Sequence, residues 1–532
     1  MAGKISPHLR LLAPELSAGV SPRMTQRPLR LGTRRSLLAR AQSSAVARSL
    51  ERLHPGLAVE LVGIDTRGDR ILDTPLSQVD GKEFFTAEID AALRDGSVDL
   101  TVHSFKDLSL ERPASLHLAA VPARENPRDI VLFAADVPER LAGGASLRIG
   151  SSSPRRQAFV PGFLQRALPG APRVELCELR GNVDTRLRRL REARGSERHL
   201  DGVILAFAGL ARLCQDETVG AAAVLRELLA GLPRMLLPLT LCPTAPAQGA
   251  LAIECRADDA RTRSLLAALD DAATRAAVAA ERALLAQRGG GCQQRFGATQ
   301  VQVEGLGALL YRREADEQGA AAPQLDWALP PPPRAPLRPW DGSEQPAPAV
   351  EAIDGAAAQC AQRLAGCGAA FIAHRRALPD LPAAVVNRCR HIWVSGTESW
   401  FALAARGVWV EGCAESLGFG ALQPTVRSAL LALPSAPQWL ALTNAEGAAG
   451  WGEVPVLATY RHARVEGTGR GPAGALQAWW HSGMQFERWR SAAGADCQHA
   501  CGPGKTADTL RRAGIAPLIF PSVRHWRDWL RT

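Results

Sequence analysis

The chain has 532 residues, 46% of them hydrophobic and 22% charged, with a formal net charge of +10. That length calls for about three to five domains, and that composition supports packed cores, which excludes a fibrous or wholly disordered protein. No apolar run of about 18 residues occurs, so no membrane-spanning helix is expected.

Residues 1–27 are basic and lack a continuous apolar stretch, so they read as an extension outside the fold and not as a secretory signal. Met24 is a second candidate start. The 11 cysteines are odd in number, which points to reduced thiols and a cytoplasmic protein. Cys497 and Cys501 lack a second pair at metal-site spacing, so no zinc site is expected. The positive charge fits a nucleic acid, an anionic surface or an acidic small molecule. It is carried almost wholly by arginine; the lysines are Lys4, Lys82, Lys106 and Lys505. A lysine kept in so arginine-rich a chain marks a position where a compact ammonium matters, or a chance survival.

In chain order, 28–33 reads as a strand, and Ser36 caps a helix with Leu38, Ala41, Ala45 and Leu53 on one face. Strands follow at 57–66, 99–104, 147–150, 174–179 and 202–206, with helices near 86–94 and after Ser151. This alternation predicts α/β domains with largely parallel sheets and ligand sites beyond the strands' carboxyl ends. An alanine-rich helix at 272–287 runs into Gly289-Gly290-Gly291-Cys292, and 300–312 reads as one strand. The Pro/Ala-rich stretch 330–348 reads as a loop or linker, and 355–364 as a helix. Beyond 369 a second α/β region carries two similar strand-turn-helix pieces, at Ile392–Thr397 and Ala500–Thr506.

Several segments carry chemistry. Ser151-Ser152-Ser153-Pro154-Arg155-Arg156 puts hydroxyls, free N–H groups and two guanidiniums at a helix start, which suits an anion. Arg180 and Arg186 flank a Gly-Asn turn at another strand end. No Walker loop or dinucleotide glycine fingerprint accompanies them, so a ligand with many carboxylates is favoured over a nucleotide. Lys106-Asp107 tips the strand that holds His103; the aspartate can stabilise a cation or relay a proton, or the pair is a surface ion pair. Cys292 lacks the neighbours that bury a cysteine, and Arg288 upstream favours its thiolate. It is either presented for chemistry or an incidental cysteine in a glycine turn.

Eight ordered motifs between about 28 and 368 resemble the hydroxymethylbilane synthase (porphobilinogen deaminase) family. They are 31–36, Thr66-Arg67-Gly68-Asp69, 102–107, 150–157, 179–186, Ala208-Gly209-Leu210-Ala211-Arg212-Leu213, Ala247-Gln248-Gly249-Ala250 through Arg256, and Gly290-Gly291-Cys292-Gln293. The resemblance implies a transferase of porphyrin biosynthesis. It joins four porphobilinogen molecules head to tail with loss of ammonia, giving linear hydroxymethylbilane. A dipyrromethane cofactor attached to Cys292 by a thioether primes the chain. Asp107 is the implied catalytic carboxylate, assisting deamination and stabilising the cation that results. Lys106, Ser153, Arg155, Arg156 and Arg186 are implied to hold cofactor and chain; Arg34, Ser36, Arg180, Arg212 and the loop residue Lys82 to handle incoming substrate. The implied fold is two type II periplasmic-binding-protein-like domains, 28–124 plus 238–256 and 125–237, then a small α+β domain, 257–368, carrying the cysteine. A monomer with no nucleic-acid or membrane partner is expected. Asp80–Phe85, Gln78, Asp184, Pro243–Pro246 and the missing proline after Cys292 depart from the family pattern, bearing on rate and loop behaviour more than on reaction type.

Residues 369–532 resemble, more loosely, uroporphyrinogen-III synthase, through the two strand-turn-helix pieces, Tyr460 and the segment His481–Phe486. A second, cyclising activity and an accessory, stabilising role are both open for this region. For the whole chain, a non-catalytic anion-binding module is the competing reading; it has no need of Asp107 or Cys292.

Overall fold

The computed structural model describes residues 27–66, 86–218, 220–290, 294–343, 349–463 and 471–532. The chain starts with β1 (Leu29–Arg34), β2 (Val59–Ile64), β3 (Leu100–Ser104) and β4 (Leu116–Ala120). It crosses to a second sheet through β5 (Asp129–Phe133), β6 (Leu147–Gly150), β7 (Val174–Cys177), β8 (Gly202–Ala206) and β9 (Arg234–Leu236). It then returns to the first as β10 (Leu251–Arg256). The sheet orders are β2-β1-β3-β10-β4 and β7-β6-β8-β5-β9. Both are mixed, which corrects the expectation of largely parallel sheets. β1 pairs in parallel with β2 and β3, and β6 with β7 and β8; β10 and β5, entered from the other sheet, run antiparallel to their neighbours.

The two crossovers, 121–128 and 237–250, lie side by side. Glu125 N–H donates to Gly249 O at 3.1 Å, and Gln248 Nε2 to Pro127 O at 2.7 Å. Gly249 has φ +89°, and a Cβ there would stand 2.4 Å from Glu125 O, so only glycine permits this approach.

Ser36 caps the helix Leu37–Leu53, accepting from the Ala39 N–H. The buried face of that helix is Ala41, Val46, Ala47 and Leu50, whereas Leu53 is exposed, because the helix packs on β1–β3 and on the helix Phe207–Cys214 together. The helix Ala272–Ala286 leads to a hairpin of β11 (Phe296–Val303) and β12 (Gly307–Glu314), joined in a sheet by β13 (Gln324–Trp327). The single strand expected at 300–312 is therefore two, broken by a turn in which Gly305 and Gly307 take positive φ.

The C-terminal region holds two further sheets. A six-stranded sheet is ordered β15-β20-β19-β16-β17-β18, with β15 Val350–Ala352, β16 Ala369–Ile372, β17 Ile392–Val394, β18 Gly412–Cys413, β19 Trp439–Asn444 and β20 Val456–His462. A four-stranded sheet is ordered β14-β21-β22-β23, with β14 Pro339–Trp340, β21 Gln477–Trp480, β22 Gln498–Cys501 and β23 Leu518–Ile519. β14 thus draws part of the supposed linker into the smaller sheet, β15 follows it into the larger one, and the helix Ala356–Gly366 buries Cys360 and Leu364 against that larger sheet.

The larger C-terminal sheet and the second sheet of the N-terminal half share two apolar clusters, each built from both. Phe163 meets Trp400 edge-on at 5.2 Å and Phe133 meets Trp409 at 5.2 Å. The Trp400 indole N–H donates to Ala167 O at 3.1 Å. Among the described residues no helix is long and apolar enough to cross a membrane. The ten described cysteines are all free thiols.

Candidate active site

A cavity of about 240 Å³ opens where the first and second sheets face each other. Arg34 and Ser36 reach it from the end of β1, and Lys106 and Asp107 from the one-turn helix Phe105–Asp107 that follows β3. Arg156, Arg186 and Arg212 reach it from helix starts and faces in the second sheet's unit. Strand ends from both units converge on it, as expected of such folds.

Behind this wall lies a buried polar network. Asp129, fully buried at the start of β5, accepts from Arg155 Nη2 at 2.8 Å, Arg156 Nη2 at 2.7 Å and Gln248 Nε2 at 2.8 Å. Burial opposes the Asp129 charge, but the two guanidiniums outweigh it and hold the carboxyl well below the usual range. Gln248 Oε1 in turn accepts from Lys106 Nζ at 3.5 Å. Burial pushes the Lys106 ammonium down, while Asp107 beside it opposes the shift.

The cavity is richer in positive charge than its own carboxylates balance. Burial, with Arg156 and Arg180 nearby, pushes the Arg186 guanidinium down to about 10, although Asp107 pulls the other way. Burial lowers Arg212 to about 10, and its Nη2 donates to Gly249 O at 2.6 Å. The Nε of Arg156 and Nη1 of Arg180 are buried without a hydrogen-bond partner. Buried donors left unpaired are costly, and carboxylates brought by a ligand would satisfy them.

Three expected site residues stand off the cavity lining. Ser153 caps the helix Pro154–Ala167, accepting from Arg156 N–H at 3.5 Å. Arg155 is spent on Asp129 and on Pro243 O, at 3.0 Å, so it props the wall from behind. Arg180 lies just beyond, close enough to perturb Arg186. Cys292 and Lys82 lie outside the described residues. The chain before Cys292 is nonetheless placed: Gly290 packs so tightly on Leu110, three residues past Asp107, that a Cβ would stand 2.8 Å from Leu110 Cδ1. Gln294 Nε2 donates back to Gly290 O at 3.3 Å. Arg288 is engaged with Glu314 at 3.1 Å and sits over the Phe296 ring.

His103 is buried, 3.1 Å from Thr101 Oγ1 and 3.5 Å from Glu254, and burial lowers its pKa despite Glu254. Asp90, His103 and Glu254 have the proximity of metal ligands, but Arg112 already bridges both carboxylates at 2.7 Å. Gln248 and Asp129 were not foreseen as functional. Gln248 lies in a quoted motif without a role, and nothing local marks Asp129.

Residues 29–264 match the family described as "Porphobilinogen deaminase, dipyromethane cofactor binding domain". The porphobilinogen deaminase of Syntrophotalea carbinolica is 44% identical over 276 residues, covering 51% of this chain and 77% of that protein. That of Trichlorobacter lovleyi is 45% identical over 270 residues, covering 51% of this chain and 78% of that protein. The chain belongs to the porphobilinogen deaminase family.

Among solved structures, the effector-binding domain of BenM with benzoate overlays 50% of this chain and 95% of that chain, at 14% identity and a TM-score of 0.25. The aliphatic sulphonate binding protein SsuA of Escherichia coli overlays 50% and 75%, at 16% and 0.24. Overlays that loose bear on neither chemistry nor domain arrangement. The dipyrromethane cofactor of the porphobilinogen deaminase family fits this cavity by donor chemistry: Arg34, Lys106, Arg156, Arg186 and Arg212 line it against Asp107 and Asp184, an excess of cations suited to a ligand bearing carboxylates.

A second, larger cleft of about 1180 Å³ lies between the two C-terminal sheets and the hairpin β11–β12. Glycine-rich turns at 418–420, 450–452 and 504 line it, with Arg427, Lys505 and Arg511. Lys505 Nζ donates to Gly447 O and Ala449 O, both at 2.7 Å, and stands 3.9 Å over the Trp451 ring, joining the two sheets' units. Tyr460 and His481 do not line this cleft. Tyr460 packs in the core beside His462, and His481 is hydrogen-bonded to Asp341 O.

Proposed function

We propose that the chain is a porphobilinogen deaminase, joining four porphobilinogen molecules into hydroxymethylbilane with loss of ammonia. The observation that carries this is one cavity holding Asp107 at its edge among Lys106, Arg156, Arg186 and Arg212. An anion-binding module has no use for a carboxylate in that position.

Each addition breaks the C–N bond to the substrate's protonated amine, which leaves as ammonia, forms a C–C bond to the chain's α-carbon and releases that carbon's proton. On this reading the Asp107 carboxylate accepts a hydrogen bond from that amine and stabilises the positive charge left as it departs. Arg34, Ser36 and Arg212 orient the incoming acetate and propionate groups, and Arg186, Arg156 and Lys106 hold those of the bound chain. The dipyrromethane, anchored through Cys292, supplies the carbon that the first substrate joins. Arg155 and Gln248 act from behind, by fixing Asp129, Arg156 and Lys106. We read the paired five-stranded units as the two halves of a type II periplasmic-binding-protein-like fold, with the cysteine carried by the unit that follows.

Steady-state ammonia release from porphobilinogen tests the reading. Wild-type protein should turn over and Asp107→Asn should be slower by at least about 100-fold; equal rates would remove Asp107 from the chemistry.

For the C-terminal region we infer a uroporphyrinogen-III synthase-like unit with its substrate site in the cleft crossed by Lys505. The observation in its favour is the size and position of that cleft between two α/β units. Its expected Tyr460 and His481–Phe486 signals do not supply the site. Porphobilinogen turnover followed by analysis of the uroporphyrin isomers decides it: type III product supports cyclisation, and type I alone contradicts it.

A further inference from the structure

The chain passes between the first and second sheets twice, at 121–128 and 237–250, so the relation of the cavity's two walls is set there. Both passages end on one carboxylate from the C-terminal region. Glu415 Oε1 accepts from Arg128 Nε at 2.9 Å and Arg128 Nη2 at 2.5 Å, on the first crossover. Glu415 Oε2 accepts from the Thr240 backbone N–H at 3.0 Å, on the second. The Glu415 side chain is 1% exposed.

We propose that Glu415 is a positioning residue for the deaminase cavity: it fastens the two crossovers to each other and to the C-terminal region, fixing the spacing between the wall bearing Lys106 and Asp107 and the wall bearing Arg156 and Arg186. The inference rests on the deaminase reading for its kinetic part alone. Three further observations support it. Glu415 and Ser416 have φ of +52° and +63°, left-handed conformations that cost non-glycine residues energy and persist only where surrounding contacts impose them. The attachment is not confined to one carboxylate: Asn126 Nδ2 on the first crossover donates to Thr425 Oγ1 at 3.0 Å, and Leu236 N–H, where the second begins, donates to Glu411 O at 2.7 Å. Arg128 is followed directly by Asp129, the centre of the network behind Arg156 and Lys106, so a shift at Arg128 reaches the cavity through one peptide unit.

Glu415 lies far outside the 29–264 segment that carries the family match. The C-terminal region therefore adds to the deaminase a fastening that this segment does not contain. A charged pair so deeply buried is not replaceable by either partner alone, since the one left behind is uncompensated.

The test uses the full-length protein in three forms: Glu415→Gln, Glu415→Asp, and the double replacement Arg128→Met with Glu415→Leu, which removes both charges together. Hydrogen exchange is followed by mass spectrometry over 121–128 and 237–250, with 130–133 and 369–372 as internal controls, alongside kcat and KM for porphobilinogen. The account expects exchange in both crossovers to rise by about tenfold or more in the Gln and double variants, with the controls still protected. KM should rise about tenfold with a smaller change in kcat, and Glu415→Asp should recover part of both effects. Unchanged crossover exchange in folded variants overturns the proposal. So does loss of protection at the controls to the same degree, which would make Glu415 a packing residue of the whole molecule. If wild-type protein releases no ammonia, the deaminase reading has failed and the exchange measurement alone judges the fastening.

Discussion

Lys106 and Asp129 never touch, yet Gln248 joins them: its Oε1 accepts from Lys106 Nζ at 3.5 Å and its Nε2 donates to Asp129 Oδ1 at 2.8 Å. One amide from the second crossover therefore couples the ammonium of the first wall to the carboxylate that anchors the arginines of the second. Gln248→Leu leaves the Asp129 lone pair and the Pro127 carbonyl unpaired in a buried setting. It should lower stability by about 1–3 kcal/mol, read from the urea midpoint, and raise KM for porphobilinogen. Unaltered values in both would show that the bridge is dispensable.

Asp129→Asn should be more severe, about 3–5 kcal/mol, because Arg155 and Arg156 would share a buried site without a counter-charge. The same pairing gives a pH dependence with a definite sign. The folded-state pKa of Asp129 lies below its unfolded value, so its contribution is fully present above about pH 4 and is lost as the pH falls below it. Acid titration of wild type and variant should converge at low pH; parallel curves would contradict the assignment.

Arg186 predicts a trade between stability and binding. Burial, Arg156 and Arg180 all disfavour its charge in the folded chain, and Asp107 and the hydrogen bond from its Nε to Gly181 O at 2.7 Å offset this only in part. In a Cys292→Ser background, Arg186→Met should therefore stabilise by about 0.5–2 kcal/mol, seen as a raised Tm. With Cys292 intact it should raise KM about tenfold, since the proposed guanidinium grip on a chain carboxylate would be lost. A destabilised Arg186→Met would mean that the guanidinium is compensated within the protein itself.

Trp400→Ala should destabilise by about 3–5 kcal/mol, since its ring is fully buried and its N–H is bonded to Ala167 O. Because Trp400 joins the second sheet's unit to the C-terminal region, calorimetry should show both moving to lower temperature together. A shift confined to one transition would mean that the shared core does not couple them.

Local patterns carried much of the fold. Gly202–Ala206 and Leu147–Gly150 are strands at the positions expected, Ser36 caps the helix assigned to it, and the helix expected after Ser151 begins at Pro154. The strand expected at 300–312 failed because a period-two pattern continues across a tight turn, and only the glycine conformations reveal the break. Antiparallel β10 and β5 were not legible because strand direction depends on which sheet the chain returns to. Lys106, Asp107 and Arg186 were readable as site candidates, since a lysine stands out in so arginine-rich a chain and the Lys-Asp tip and the Gly-Asn turn both follow strands. Asp129, Gln248 and Glu415 were not. Their roles arise from partners 26 to 287 residues away, and no local spacing encodes such pairs. Arg155 was expected, by resemblance, to hold cofactor and chain; it and Arg156 both bind the buried Asp129, and only Arg156 also lines the cavity.

Asp107→Asn should reduce turnover by roughly 100- to 10,000-fold, the range lost with a general acid or base, without loss of the attached primer. This separates its role from that of Cys292, whose replacement should abolish attachment and turnover together.

The most direct measurement is the intact mass of purified chain before and after brief exposure to porphobilinogen. The account predicts a resting mass above the polypeptide by one dipyrromethane, followed by steps of one deaminated substrate unit, and neither in Cys292→Ser. Wild-type protein made with cofactor precursor present, yet showing the bare polypeptide mass and no steps, would contradict it.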